Sequence, residues 1–235
     1  EKTAADWLKK DLVDISADRV KAIDITHADG KSVSIAKDAQ GDANFKLADI
    51  PKGREAGSEY TINALTSTLA GLQFDDVLPA KDAAPPDAAL KAHYAMFDGV
   101  VVDVVAWEKD GKDVAQFKAS LDKEQADKGI AAAQTKAKAD FEAATAAATA
   151  KKGTGGAEPP IKPLAVSDPV KDYENRLAAL NKQVADLNAH FSGWTYVLPA
   201  YKYANINKTI DDLLKPLEAK KTLEPVKKVS PKRCK

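Results

Sequence analysis

The stretch "VKAIDITHADGKSVSIAK" (Val20–Lys37) sets the fold class. Ile23 and Ile25 alternate with polar neighbours, and Val33 and Ile35 do so again. Between them, Asp29-Gly30 tolerates the positive φ angles that a two-residue turn demands, so the stretch reads as a β-hairpin. "NFKLADIPKG" (Asn44–Gly53) follows as a third strand. After a Gly-bearing loop, "YTINALTSTLAGL" (Tyr60–Leu72) places Ile62, Leu65, Leu69 and Leu72 on one helical face. The unit is strand, strand, strand, helix. Ahead of it, "DWLKKDLVDISADRV" (Asp6–Val20) carries Trp7, Leu8, Leu12, Val13 and Ile15 at mixed spacings and reads as a helix or turn entering a strand.

The same order returns later in the chain. In "MFDGVVVDVVAWEKDGKDVAQFKA" (Met96–Ala119), Val100–Val105 is a β-branched run broken by one Asp, the pattern of a strand covered on both faces. Asp110-Gly111 repeats the hairpin turn, and Val114–Phe117 return. The third strand is delayed until "SGWTYVLPAY" (Ser192–Tyr201), after which "YANINKTIDDLLKPL" (Tyr203–Leu217) sets Ile206, Ile210, Leu213 and Leu217 on one helical face. Phe45 corresponds to Trp194, Ile50-Pro51 to Leu198-Pro199, and Tyr60 to Tyr203. The expected fold is α+β, with duplicated hairpin-strand-helix units and antiparallel sheets. Residues 1–99 form the first unit with its lead-in and connector, and residues 100–217 the second, interrupted at about 121–191.

The interruption has its own pattern. "DKGIAAAQTKAKADFEAATAAATAKK" (Asp127–Lys152) is rich in alanine, the best helix former, with Ile130, Gln134, Ala137, Phe141, Ala144 and Ala148 recurring at spacings of four and three. "DPVKDYENRLAALNKQVADLNAHF" (Asp168–Phe191) repeats this with Val170, Tyr173, Leu177, Leu180, Val184, Leu187 and Phe191. Both are heptad patterns, one of small and one of large residues. Between them "GTGGAEPPIKPLAVS" (Gly153–Ser167) cannot continue either helix. Asp168-Pro169 reads as an N-cap followed by Pro at the first helical position. The prediction is an inserted antiparallel helical hairpin, projecting on the order of 35 Å at the helical rise.

Composition narrows the function classes. The 35 basic residues are balanced by 35 acidic, which argues against a nucleic-acid binder. The balance is uneven: Glu218–Lys235 holds seven basic residues against two acidic, a basic tail expected to be disordered and solvated. The lone Cys234 can close no disulfide within the chain and build no zinc site. No apolar run approaches the roughly 20 residues that span a bilayer. The chain starts at Glu1 rather than Met, so a preceding signal or anchor segment is expected to have been removed.

Reactive constellations are missing from the local sequence. His27, His93 and His190 stand in separate segments without metal-ligand spacing. "GTGGAE" (Gly153–Glu158) follows a helix rather than a strand, unlike a phosphate-cradling loop. Asp75-Asp76 and Asp211-Asp212 are sequence neighbours, whose side chains diverge on a helix or strand, so a solvated surface outweighs an acid/base pair. Trp107, Trp194, Tyr196, Tyr201 and Tyr203 invite a ligand-site reading, but strand aromatics more often pack in a core. No catalytic, cofactor-binding or metal residue is assigned, and no partner-binding residue either.

Five stretches carry a resemblance. "DISADRVKAIDITHADGKSVSIAK", "NFKLADI" and "INALTSTLAGLQFDDVLPA" resemble the family catalogued as domain of unknown function 4340, and "MFDGVVVDVVAW" and "LNAHFSGWTYVLPAY" resemble its proteobacterial form. The likeness covers most of residues 11–217. Its motifs are structural and transfer no catalytic residue. The resemblance implies an extracytoplasmic (periplasmic) domain held to the inner membrane by an N-terminal anchor, accessory to ABC-type transport systems of the gliding-motility kind. The expected function is therefore a non-enzymatic envelope domain docking on a membrane or envelope protein, through the helical hairpin or a sheet edge. The alternative is a small-molecule or lipid-binding module with a pocket between the two units.

Overall fold

The first hairpin forms as its alternation predicts. In the computed structural model, which describes residues 10–151 and 160–216, β2 (Val20–Thr26) pairs antiparallel with β3 (Ser32–Ala36) through the Asp29-Gly30 turn, where Gly30 has φ +80°. Ile23, Ile25, Val33 and Ile35 are buried on one side, while Asp24 and Thr26 face water. The second hairpin, β8 (Val100–Lys109) with β9 (Lys112–Leu121), turns at Asp110-Gly111, both at positive φ.

These hairpins belong to one sheet. Its order is β4 (Lys46–Leu47), β3, β2, β7 (Leu90–Met96), β8, β9, β10 (Trp194–Val197), β6 (Asp76–Pro79), with every neighbouring pair antiparallel. The architecture is thus α+β with antiparallel sheets. A separate two-stranded sheet joins β1 (Asp11–Val13) to β5 (Leu72–Gln73). The lead-in is therefore strand rather than helix over Asp11–Val13; Trp7 and Leu8 lie outside the described residues. β7, within the stretch read as a connector, is the strand that joins the two hairpins. Its Leu90, Ala92, Tyr94 and Met96 alternate with exposed Lys91 and His93, a clean period of two.

Both helices expected after the third strands are shorter than their apolar spacing indicates. α1 (Glu59–Asn63) tightens into a 3₁₀ turn over Ala64–Thr68. There the hydroxyls of Thr66, Ser67 and Thr68 donate to carbonyls three residues back at 2.7, 2.7 and 3.1 Å. Such local bonds compete with a continued α-helix. Ile62, Leu65, Leu69 and Leu72 are nonetheless all buried, Leu72 from β5. α5 (Ala200–Ile206) stops because Asp212 Oδ2 accepts from both the N–H and the hydroxyl of Thr209 at 2.8 Å, starting a new turn at Asp211–Leu213. Leu217 and the basic tail lie outside the described residues.

The duplication expected from the sequence is not reproduced at its paired aromatics. Phe45 is 5% exposed and Trp194 is 45%, so the paired aromatics have unlike environments. Phe45 precedes a strand of only two residues, whereas Trp194 opens one of four at the other side of the sheet.

The insertion consists of α2 (Lys123–Lys151), the short α3 (Leu164–Ser167) and α4 (Pro169–Phe191). The predicted cap is present: Asp168 accepts from the Lys171 N–H at 3.0 Å, with Pro169 opening the helix. Near its start α4 meets α2 antiparallel, with Tyr173 OH donating to Asp127 Oδ1 at 2.7 Å and Gln134 Nε2 to the Pro169 carbonyl at 2.7 Å. Its remainder does not project. Leu180, Val184 and Leu187 pack on the main core, Phe191 stacks at 5.4 Å from Phe117, and the Asn188 side chain bonds both the N–H and the carbonyl of Ala119 at 2.8 Å. Among the described residues of the insertion, it is α2 that leaves the body: Glu142–Ala147 are exposed throughout. The loop tip Gly153–Pro159 lies outside the described residues.

The opposite face of the sheet is half covered. The chain passes from β6 at one margin to β7 in the middle by Ala80–Ala89, which crosses the back of the sheet. Ala83 and Ala89 bury Trp107, Val114 and Val197 there, and Gln116 Nε2 holds the segment by donating to the Ala83 carbonyl at 3.2 Å. Val100–Val105 is accordingly covered fully on one face and partly on the other.

Candidate functional site

A cleft follows from the register of the central strands. β7 begins at Leu90, opposite Ala106 of β8, while β2 ends at Thr26 opposite Lys91. Both hairpin turns lie at this end of the sheet and run past the start of β7, leaving a notch between them. Its walls are His27–Lys31 on one side and Trp107 and Glu108 on the other. Pro86, Ala88 and Leu90 form the floor, and Tyr203, Asn207 and Thr209 lie at the end of α5. The volume is about 460 Å³, within the range of small-ligand sites.

The polar groups are placed by turns and strand parity. His27 Nε2 donates to the Lys208 carbonyl at 3.0 Å, which orients the ring. Lys31 Nζ lies 2.9 Å from Asp29, whose carboxyl is held below the ordinary value first by that side-chain bond and then by the Lys31 N–H. Glu108 shares the parity of Val104 and Ala106, whose side chains face the core, and its register partner is Asp113. Burial, then the neighbouring Glu108 charge, pushes the Asp113 carboxyl up. Burial, then Asp113 and Glu108, pushes the Tyr203 hydroxyl up.

Of the residues singled out in the sequence, the cleft gathers His27, Trp107 and Tyr203. The others lie elsewhere. Trp194, Tyr196 and His190 line a separate, mainly apolar hollow of about 360 Å³ with Leu12, Phe74 and Val77. The Tyr196 hydroxyl there donates to the His190 carbonyl. Tyr201 is exposed. His93 Nδ1 is 2.7 Å from Asp103 Oδ1 on the uncovered sheet face, where Asp24 and Asp103 flank it in register. Asp76, Asp211 and Asp212 serve backbone and arginine partners, Val77 N–H, Arg54 and Thr209 respectively. Among the described residues, no cluster of three His, Cys, Asp or Glu side chains has metal-binding placement. Nor is any helix there long and apolar enough to cross a membrane.

Sequence reasoning missed Glu108, Asp113, Lys31 and Asn207. A signal for the carboxylates was present. A two-residue turn at Asp110-Gly111 forces Lys109 opposite Lys112 and hence Glu108 opposite Asp113. Asn207 depends on where α5 breaks, which apolar spacing does not reveal.

The strands from β1 to the start of β7 carry the match to known proteins. Residues 1–92 match the family model described as Domain of unknown function (DUF4340). This part of the chain is similar to DUF4340. The DUF4340 match holds one wall of the cleft, His27–Lys31, and its floor, Pro86–Leu90, whereas Trp107, Glu108, Tyr203 and the inserted helices follow it in the chain. No curated protein and no solved structure matches the chain.

Proposed function

We propose that the chain is a non-enzymatic extracytoplasmic domain of a membrane-anchored envelope protein, docking on an ABC-type transport system through the free end of α2. The observation that carries this reading is a helix set rigidly at its base and uncovered at its end. At the base, Gly99 and Gly129 let α2 approach the β7–β8 turn so closely that an added Cβ would lie 2.5 Å from Ala126 N and 2.7 Å from the Phe97 carbonyl oxygen. Gln125 Nε2 donates to that same carbonyl at 2.8 Å. At the far end the surface is made of small side chains. Thr145 and Thr149 turn their hydroxyls to carbonyls of their own helix at 2.8 and 2.9 Å, which leaves a slender apolar face suited to close helix packing. The envelope setting and the transport partner come from the family resemblance.

The test replaces residues 139–161 by a short Gly-Ser linker, which keeps the base of α2 and all of α4. Photo-crosslinkers at Ala144 and Ala146 of the anchored protein should yield an adduct with the permease subunit, and the shortened protein should lose co-purification with it. Undiminished association of the shortened protein would remove α2 from the contact.

The cleft between the hairpins favours a second reading, a small-molecule or lipid-binding module. Native mass spectrometry of gently purified protein separates the two: a stoichiometric ligand that vanishes when Ala88→Trp fills the floor supports the module.

A further inference from the structure

The cleft's charges point to the class of ligand it would hold, an inference that rests on the second reading above. Three lysines around it face carboxylates, and the charge of Lys208 lies near enough to Asp212 to help its Thr209 bonds hold that carboxyl low. Lys31 faces Asp29 at 2.9 Å, Lys109 faces Asp110 at 3.4 Å and Lys112 faces Asp76 at 3.6 Å. Glu108 and Asp113 have no ion-pair partner among the described residues, though they sit opposite each other on the core-facing side of the sheet. Two adjacent carboxylates beside a partly desolvated pocket repel one another and attract a cation more strongly than they would in water. Burial first, and the neighbouring carboxylate charge second, raises both the Asp113 carboxyl and the Tyr203 hydroxyl.

The remaining walls fix the other half of the ligand. Pro86, Ala88, Leu90 and Ala106 offer an apolar floor, and Trp107 and Tyr203 are residue types that attract organic cations. We propose that the cleft binds a small organic cation with an apolar body, its ammonium group toward Glu108 and Asp113 and its body on Leu90 and Pro86. Asn207, at the end of α5, supplies a neutral hydrogen bond. An anionic ligand would meet the repulsion of the two carboxylates.

The experiment titrates the full chain with benzyltrimethylammonium and, separately, with phenylacetate, following heat and the indole and ring resonances of the cleft aromatics. Saturable binding of the cation alone is expected. It should weaken at least about tenfold in Glu108→Gln/Asp113→Asn and be lost in Ala88→Trp, a change at an exposed lining position that leaves the core intact. Thermal melts confirm that each variant folds. No saturation by the cation, or an unchanged affinity in the double variant, overturns the proposal. Phenylacetate binding that Ala88→Trp blocks also overturns it, while leaving the cleft a ligand site. A clean apo mass together with silence from both probes removes the cleft reading as well.

Discussion

At the scale of single residues, burial sets the behaviour of Lys202 and Tyr94 against what residue type suggests. Lys202 is only 6% exposed, and its Nζ donates to the Ser67 and Ala70 carbonyls at 2.6 Å each, closing the end of the 3₁₀ turn that follows α1. Burial pulls its amine below the ordinary lysine value, with Asp14 opposing. Lys202→Met should cost about 1–3 kcal/mol in urea unfolding, because two buried carbonyls lose their donor. A loss near zero would mean that water replaces it. Tyr94 is fully buried, its hydroxyl only 3.5 Å from the Leu65 carbonyl, and burial pushes its pKa up. The folded state therefore keeps a proton that the unfolded chain releases above pH 10. Its contribution is complete below that value and is lost as pH rises further. Tyr94→Phe should be within about 1 kcal/mol of the parent at pH 7 and should lose less stability from pH 10 to 12. Parallel stability-pH curves for the two proteins would contradict this. Neither Tyr94 nor Lys202 stands out in the sequence, because the alternation of β7 and the break of α5 had to be known first.

Among the elements, the base of α2 governs where its free end points. Gly129 lies mid-helix, where alanine would gain about 1 kcal/mol of helix propensity, yet the added Cβ would meet the Phe97 carbonyl oxygen at 2.7 Å. Backbone on both sides leaves little room to adjust, so Gly129→Ala should destabilise by about 1–3 kcal/mol. Gly99→Ala should cost more, since φ +86° adds strain to a contact of 2.5 Å. Denaturation midpoints for both, beside Ala143→Gly on the exposed stretch, measure the comparison; a stabilised Gly129→Ala would show that α2 is loosely seated. Heptad spacing made both long helices legible but not their different fates. The larger residues of α4, Leu180, Val184 and Leu187, found a sheet to cover, whereas the alanines of α2 buried too little to hold its end down. The hairpins were readable because Asp-Gly and period-two alternation are local. β7 was overlooked because "LKAHYAM" offers one aromatic and small apolar residues, a weak signal without its neighbours.

For the whole molecule, an eight-stranded open sheet has two margins that must avoid pairing with other chains. One margin, β4, is only two residues long. The other, β6, is blunted by its own side chains. Alternation of ladder bonds, fixed by the Ala80 N–H to Gly193 carbonyl bond at 2.9 Å, turns residues 77 and 79 outward. The Val77 N–H is taken by Asp76 Oδ1 at 2.9 Å, and position 79 is a proline with none to offer. This leaves the β6 margin without an outward donor at either position. It also separates the roles of the two ends of the molecule: the hairpin turns frame a cleft, while the β6 margin is protected. Asp76→Ala/Pro79→Val restores two outward donors beside the apolar hollow lined by Val77 and Trp194. Sedimentation velocity at rising concentration should then show self-association that the parent lacks, with the thermal midpoint little changed. A double variant that stays monomeric over the same range would show that the short length of β6, and not its side chains, keeps the margin single.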